Sequence, residues 1–387
     1  MKSKSNANVS SVCIVSQLFY PVNQAMAVRL RYIADALISK EISTSIITSS
    51  ASQNVDKYNT QCLLTPVASN RDQVYIRLIK ELVFGMEVFI RVLLTRSDIF
   101  FISSPPFTIA FMAVLACKIK GTPYIFDVRD EYPEVYFTEG LIDPDYLIGR
   151  WLKSVEKWIY RNSYKTITVT KRIVKKLVIK SGDLNKIYLL RNGFAGNIKP
   201  VKTLSLNPFI VLFHGNMGKF QQPELICKVA QLCHNAKLPI EFWVYGWGNR
   251  SEIILEGQKS IPNLKHRGEL THQKMPEIIT QASIGISFQG NTEISRNSFP
   301  SKVMEFIGTG IPVIVTPVSE AGDFVEKYGV GFQFEPDQAQ LIFDCIKRLF
   351  ENPEEMNAIN KKALSVNTEL SRKVLSERFV EAVLYSI

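Results

Sequence analysis

Short apolar runs alternate with helical patterns from one end of the 387-residue chain to the other. In the first half the strand-like runs fall at residues 12–16, 43–48, 99–103, 124–128, 166–170 and 186–190. In the second half they fall at 209–213, 241–245, 264–267, 284–288, 311–315 and 331–334. Runs of this length separated by helices are the pattern of βαβ units, and such units build parallel sheets covered by helices on both faces. The chain is also longer than one hydrophobic core usually organises. Two doubly wound α/β domains are therefore predicted.

Arg191-Asn192-Gly193-Phe194 and the polar stretch after it, with Pro200 and Pro208, read as a turn and an inter-domain connection. This gives an N-terminal domain over 1–198, a C-terminal domain over 199–370 and a last helix over 371–387. That helix carries Val374, Phe379, Val380, Val383 and Leu384 on one side and is expected to pack back on the N-terminal domain. Open parallel sheets bind ligands outside the carboxyl ends of their strands, so a cleft between the two domains is the expected site.

Composition changes this picture in one respect. Residues 1–195 hold 26 Lys and Arg against 16 Asp and Glu, whereas residues 196–387 hold 20 of each. The whole formal charge of +10 thus resides in the first half, which faces or tolerates something anionic. No basic helix-turn-helix, zinc-finger spacing or aromatic-glycine RNA signature accompanies it, which argues against nucleic acid. In residues 74–94 and 146–160 the basic residues are interleaved with large apolar ones at helical spacing, as in helices lying at an interface. An anionic membrane surface is the expected partner of this half. Packing of the same apolar faces on a sheet accounts for part of each segment.

The six cysteines are scattered, with no Cys-x-x-Cys pair and no histidine at ligand spacing, so free thiols in a reducing compartment and no structural zinc are expected. The apolar run after Met1–Ser11 is too short for a signal-peptide core, and the uncharged stretch 99–117 is broken by Ser103-Ser104-Pro105-Pro106. The expected location is cytoplasmic and peripheral on the inner face of the cell membrane.

Loops at strand ends carry the candidate chemistry. The loop Gln17–Arg29 lacks Gly-x-Gly-x-x-Gly, which argues against a Rossmann dinucleotide site. The next strand end, Asp127-Val128-Arg129-Asp130-Glu131-Tyr132-Pro133-Glu134, crowds five charged side chains that must pair with one another or serve a ligand. In the second half, His214-Gly215-Asn216-Met217-Gly218-Lys219 pairs glycines that let backbone approach a ligand with a lysine suited to phosphate; a simple turn is the competing reading. Pro300-Ser301-Lys302 opens a helix, with Ser301 read as its N-cap. Lys302 in the first turn repels the helix dipole, and recruitment to a diphosphate explains its presence. Glu305 lies on the same helical face and is suited to ribose hydroxyls.

Taken in order and spacing, these residues resemble glycosyltransferase family 4, and within it the bacterial surface-polysaccharide branch similar to N-acetylfucosaminyltransferases. The resemblance spans nearly the whole chain: Phe19-Tyr20-Pro21 with Arg29, Ser104-Pro105-Pro106, Val128 to Pro133, Arg191-Asn192-Gly193, Gly215 to Lys219, Tyr245-Gly246-Trp247-Gly248, and Pro300-Ser301-Lys302 with Glu305 and Gly310-Ile311-Pro312-Val313. It implies the GT-B fold, with donor held by the C-terminal domain and acceptor by the N-terminal one. It also implies that Lys219 and Lys302 clamp a donor diphosphate, that Glu305 binds the ribose, and that Ser301 offers its backbone N–H. Gly215, Asn216 and Gly218 then line the donor, while Tyr245, Gly246 and the segment Gly268-Glu269-Leu270 line its base. The family signature Glu-x7-Glu is altered, because Asn297 stands eight residues before Glu305; Glu293 is nearby in sequence. The N-terminal histidine of many relatives is replaced by Arg129 and Asp130.

The implied reaction is retaining transfer from a UDP-linked sugar to a lipid-linked or polysaccharide-precursor hydroxyl in capsule, O-antigen or exopolysaccharide synthesis. Asp130, beside Arg129, is the group expected to orient or deprotonate the acceptor. No Asp-x-Asp metal site is read and no cofactor is expected, Lys219 and Lys302 standing in for a divalent ion. The alternatives are a sugar-nucleotide epimerase of the same fold and a non-catalytic scaffold of a polysaccharide-assembly complex.

Overall fold

The computed structural model describes residues 9–384 apart from 23, 51, 53–56, 67–73, 105, 139, 195–199, 202–203, 205 and 271–273. Expectations that touch residues 1–8, Asn23, Pro105, the 198/199 boundary, His272 and residues 385–387 lie outside the described residues. The chain divides into two compact units, one of Met1–Arg191 with Leu375–Ile387 and one of Asn192–Val374.

The first unit is built on a sheet of seven strands, β1 (Ser11–Val15), β2 (Ser43–Ser49), β3 (Asn59–Leu63), β4 (Ile99–Ser104), β5 (Tyr124–Val128), β6 (Lys165–Thr168) and β7 (Ile187–Leu189). Their order is β3-β2-β1-β4-β5-β6-β7, and every pairing is parallel. Side chains alternate between two faces, as the strand period requires. Cys13, Val15, Phe100, Ile102, Tyr124 and Phe126 enter one core with helices Val74–Leu94, Phe107–Lys120 and Leu147–Asn162. Val12, Ile14, Ile46, Phe101, Ile125 and Ile167 enter the other, beneath helix Ala25–Ser39. Phe379 of the last helix, Arg372–Leu384, joins that second core, with its ring 6.0 Å from Phe101 and 5.5 Å from Tyr188.

Strand β3 has no counterpart among the apolar runs of the sequence. It lies at the sheet edge, and its residues Asn59, Thr60, Gln61 and Cys62 remain partly open to solvent, so no buried face marks it.

The second unit holds six parallel strands, β8 (Phe209–His214), β9 (Ile240–Tyr245), β10 (Leu264–His266), β11 (Ile284–Phe288), β12 (Val313–Thr316) and β13 (Gly331–Gln333), in the order β10-β9-β8-β11-β12-β13. Helix Ser301–Thr309 crosses from β11 to β12. It lies tight on the sheet because Gly285 of β11 has no side chain: a Cβ there would meet the Phe306 ring at 2.3 Å. Phe194 explains why the units divide at Arg191/Asn192. Its N–H donates to Leu370 O, and its ring fills the space left by Gly308, so the segment after Arg191 is tied to the second unit.

In each sheet the winding direction reverses at one point, between β1 and β4 in the first and between β8 and β11 in the second. The loops leaving those strands diverge, and the crevice that opens there is where such sheets bind ligands.

Candidate active site

In the first unit the reversal point gathers Arg29, Ser103 and Asp127. Asp127 is fully buried at the end of β5. Arg29, one turn into helix Ala25–Ser39, sends Nη2 to Asp127 Oδ1 at 3.1 Å, and Ser103 Oγ donates to Asp127 Oδ2 at 3.1 Å. Arg29 Nη1 donates to the carbonyls of Leu190 and Arg191, so one guanidinium joins the carboxyl ends of β5 and β7.

Pairing also explains most of the charged run after Asp127. Glu131 takes Lys176 at 2.7 Å, Glu134 takes Lys180 at 2.5 Å, and Lys180 also bonds Glu156 at 2.7 Å. Burial raises the Glu156 carboxyl to about 7, with Lys180 opposing the rise. Arg129 is half-buried and Asp130 is exposed. Crowding by protein atoms raises the Asp130 carboxyl above its ordinary value, with Arg129 opposing and Asp127 adding to the rise. The residue's surface is nevertheless open to water. Asp130 is thus the carboxylate of this run presented to solvent at the strand's carboxyl end.

The second unit has the denser constellation. Lys302 is the second residue of helix Ser301–Thr309, and its ammonium reaches back over the end of β8, 3.9 Å from the centre of the Phe213 ring. Gln221 Oε1 accepts from it at 3.4 Å, and the position a Gly215 Cβ would take is 3.8 Å away. Although the residue as a whole is half-buried, burial of its ammonium pulls the pKa down to about 7, with Glu305 opposing. Glu305 is itself buried and sits 3.4 Å from His214 Nε2. The His214 ring stands edge-on to Phe306, 5.1 Å between centroids.

Two loops interlock beside this group. Gly215 N donates to Tyr245 O at 2.9 Å and Met217 N donates to Trp247 O at 2.6 Å. A Cβ on Gly246 would lie 2.0 Å from Gly215 O, and Gly248, at φ 136°, would clash with Met217 O, so both glycines are required by close approach. Next to Tyr245 an open pocket of about 550 Å³ is lined by Gln258, Lys265, His266 and Arg267. The whole arrangement offers a cation, helix-end N–H groups and a carboxylate at one strand edge, which suits a phosphorylated ligand carrying hydroxyls.

Residues 196–366 match the family model of glycosyl transferases group 1. The match covers 171 of the 387 residues and lies within the second unit, which thus carries a glycosyl transferases group 1 domain. No curated protein matches it by sequence. The chain is similar in structure to a glycosyltransferase from Rickettsia africae, at 15% identity and a TM-score of 0.69, covering 97% of this chain and 98% of that one. It is similar to a sucrose-phosphate synthase from Thermosynechococcus elongatus, at 14% identity and a TM-score of 0.70, covering 96% and 98%. Anabaena Alr3699/HepE in complex with UDP aligns at 12% identity and a TM-score of 0.70, covering 97% and 100%, and the same protein was also solved with UDP-glucose. At these identities the likeness concerns the fold, which is GT-B, with two Rossmann-like units.

Some expectations for the site change. Ser301 is not the N-cap: Pro300 holds that position, at φ −59° and ψ 136°, with no side-chain group to accept a capping bond, while Ser301 is the first helical residue. The reason is that proline's fixed φ suits the entry to a helix and removes a donor that would be unpaired anyway. Ser301 and Lys302 then supply first-turn N–H groups without intrahelical acceptors. Lys219 is exposed on the turn after β8, and among the described residues no contact joins it to Lys302. Asn216 is likewise exposed, Gly218 is half-buried, and Leu270 leans on the second unit's core. Asn297 is buried at the end of the short helix Glu293–Asn297, whereas Glu293 at its start is exposed. The sequence does contain an Asp-x-Asp, Asp143-Pro144-Asp145; Asp143 Oδ1 accepts from Asp145 N at 2.8 Å, a local turn on the surface. Among the described residues no group of three His, Cys, Asp or Glu side chains is placed to hold a metal ion.

Phe213, His214 and Gln221 were not singled out as ligand neighbours by sequence. The only signal was their nearness to Gly215, and which of them meets Lys302 depends on how the helix lies on the sheet.

Proposed function

We propose that this glycosyltransferase moves a sugar from a UDP-linked donor to a hydroxyl of a lipid-linked or polysaccharide-precursor acceptor, with anomeric configuration retained, as family 4 enzymes of surface-polysaccharide synthesis do. The observation that carries the proposal is the buried Lys302 ammonium at a helix N-terminus, beside the Glu305–His214 pair and the glycine loop. A cation held against an aromatic ring at a cost in desolvation is explained by an anionic ligand that arrives there. The UDP and UDP-glucose complexes of the Anabaena protein support the donor class.

In this reading the donor diphosphate lies on Lys302 and the N–H groups of Ser301 and Lys302, with Gly215 leaving room for it. Lys219 reaches the diphosphate by moving from its exposed position. Glu305, oriented by His214, accepts hydrogen bonds from the ribose, and Asn297 bonds a sugar hydroxyl. Tyr245, Gly246 and Leu270 line the base. The bond between the anomeric carbon and the phosphate oxygen breaks, the acceptor oxygen takes that carbon on the same face, and the acceptor proton leaves with the nucleotide diphosphate. Charge grows on the diphosphate as the bond breaks, so preorganised cations and N–H groups lower the barrier in place of a divalent ion. Arg129 and Asp130 serve the acceptor in the first unit.

The first unit works at an anionic membrane surface, where a lipid-linked acceptor resides. No helix among the described residues is long and apolar enough to cross a membrane. Calorimetric titration with UDP, GDP and dTDP tests the donor class: UDP is expected to bind tightest, and equal or absent binding of all three overturns it. Nucleotide release measured with and without an acceptor separates transfer from epimerisation and from a scaffold role.

A further inference from the structure

The first sheet has a second feature at its opposite edge, away from the strand ends just described. There the amino ends of β1, β2 and β3 and the end of helix Val74–Leu94 enclose an open pocket of about 430 Å³. Its lining includes Ser11, Ser43, Ser45, Gln61, Arg91 and Arg96, which are hydroxyls, an amide and two guanidiniums. A helix C-terminus carries partial negative charge, and arginines near one ordinarily serve to offset it. Here another residue does so: the Lys120 ammonium donates to the carbonyls of Val92 and Thr95, at the helix end. The nearby carboxylates are engaged as well. Asp98 accepts from Ser10 N, Ser10 Oγ and Ser11 N, and Glu87 accepts from Leu64 N, Thr65 N and Thr65 Oγ1, with the Arg91 charge also acting on it. Among the described residues no ion pair engages Arg91 or Arg96, and both side chains are exposed.

The helix that ends in this pocket has an apolar stripe on its open side. Ile79, Leu82, Val83, Met86, Ile90 and Leu94 are each more than half exposed and recur every three or four residues. Phe84, Val88 and Val92 on the other side fill the core. Leu94 belongs to both features, since it also lines the pocket. The stripe therefore runs directly into the cationic pocket, so a ligand with an anionic head and apolar chains fits both. The pocket's lining includes no aromatic ring against which a nucleobase could stack.

We propose that this pocket binds the phosphate head group of an anionic membrane lipid, with the acyl chains lying along the exposed stripe. The proposal rests on the membrane reading above and names the place of contact. It fixes one edge of the first sheet on the lipid surface and leaves the carboxyl ends of the strands free for substrate. Helix Val74–Leu94, about 30 Å long at 1.5 Å per residue, lies flat on the surface.

The test is co-sedimentation of the full chain with vesicles of phosphatidylcholine alone and of phosphatidylcholine with phosphatidylglycerol. Wild type is expected to sediment only with the second, and less so as salt is raised. R91Q/R96Q should lower the partition roughly tenfold to thirtyfold, from the usual contribution of a basic residue near such a surface. K153Q/K157Q, on helix Leu147–Asn162, should lower it less. An unchanged melting temperature and unchanged UDP binding verify that each variant is folded. If wild type ignores phosphatidylglycerol vesicles, both the membrane reading and the pocket fail. If wild type binds and R91Q/R96Q binds equally, the pocket fails and the membrane reading stands. A melting-temperature rise with inorganic phosphate that R91Q/R96Q abolishes, without any vesicle binding, assigns the pocket to a free anion and overturns the lipid.

Discussion

The two units share one architecture and present different surfaces. Among the described residues, fifteen of the nineteen exposed large apolar side chains lie in the first unit, from Leu64 to Leu184, and Trp247, Leu255, Tyr328 and Leu341 lie in the second. The excess positive charge lies with them, since residues 196–387 are electrically balanced. The second unit instead buries its informative charges, Lys302 and Glu305, at one strand edge. A doubly wound sheet leaves its helix faces and its loop ends free to vary separately. In the proposed reading the first unit offers its helix faces to a surface, and the second its loop ends to a diphosphate.

The largest expected effect strikes the second unit alone. Lys302→Met should lower turnover by about a thousandfold, the scale for removing one preorganised charge-stabilising group. Nucleotide diphosphate release measures it, and near-wild-type activity would remove Lys302 from the donor site. The same variant should melt higher without nucleotide. The folded pKa of Lys302 is lowered to about 7 from an ordinary 10.5, so a penalty is present in full below pH 7 and is relieved as pH rises toward 10.5. The gain in melting temperature should therefore be a few degrees at pH 6 and shrink toward pH 10. For wild type the linkage runs the other way in binding. UDP must find or recharge an ammonium, so its affinity should fall as pH rises above 7, with proton uptake seen by calorimetry in two buffers.

Next in size is a change confined to the first unit. Arg29→Met leaves the Asp127 carboxylate buried without its partner, at a cost of about 3–5 kcal/mol. Thermal unfolding should show the loss, while UDP still binds the second unit; loss of UDP binding at a temperature where the protein is folded would contradict the separation of roles. Glu305→Gln should weaken UDP binding by roughly tenfold, since one charge-assisted hydrogen bond becomes a neutral one. An unchanged calorimetric affinity removes Glu305 from the ribose. The smallest effect is expected from Asn297→Asp, which restores an acidic side chain at the altered position of the signature. It should alter turnover by a few-fold without changing UDP affinity, provided Asn297 touches the sugar and not the nucleotide.

Much of this was legible in the chain. Each of the twelve predicted runs lies on a strand to within two residues at its start, because a buried parallel strand must be apolar on both faces. The run expected to open at Lys186 begins one residue later, at Ile187, because Lys186 closes a 3₁₀ turn over Leu184–Lys186. Pro300-Ser301-Lys302 marked a helix start, and a lysine in a first turn, working against the helix, pointed to the anion site proposed here. Edge strand β3 was not legible, because pairing through backbone on one side leaves no pattern in its side chains.

Sequence by itself determined the two parallel sheets, the charge imbalance and the candidate residues for the proposed phosphate site, because each rests on local periodicity or on side-chain chemistry. Only the tertiary structure decided the partners. Asp127 pairs with a guanidinium 98 residues away, and Lys302 rests on Phe213 and Gln221 and not beside Lys219. Those contacts depend on strand order and on how closely a helix approaches the sheet, and Gly285, by leaving room for Phe306, sets that approach.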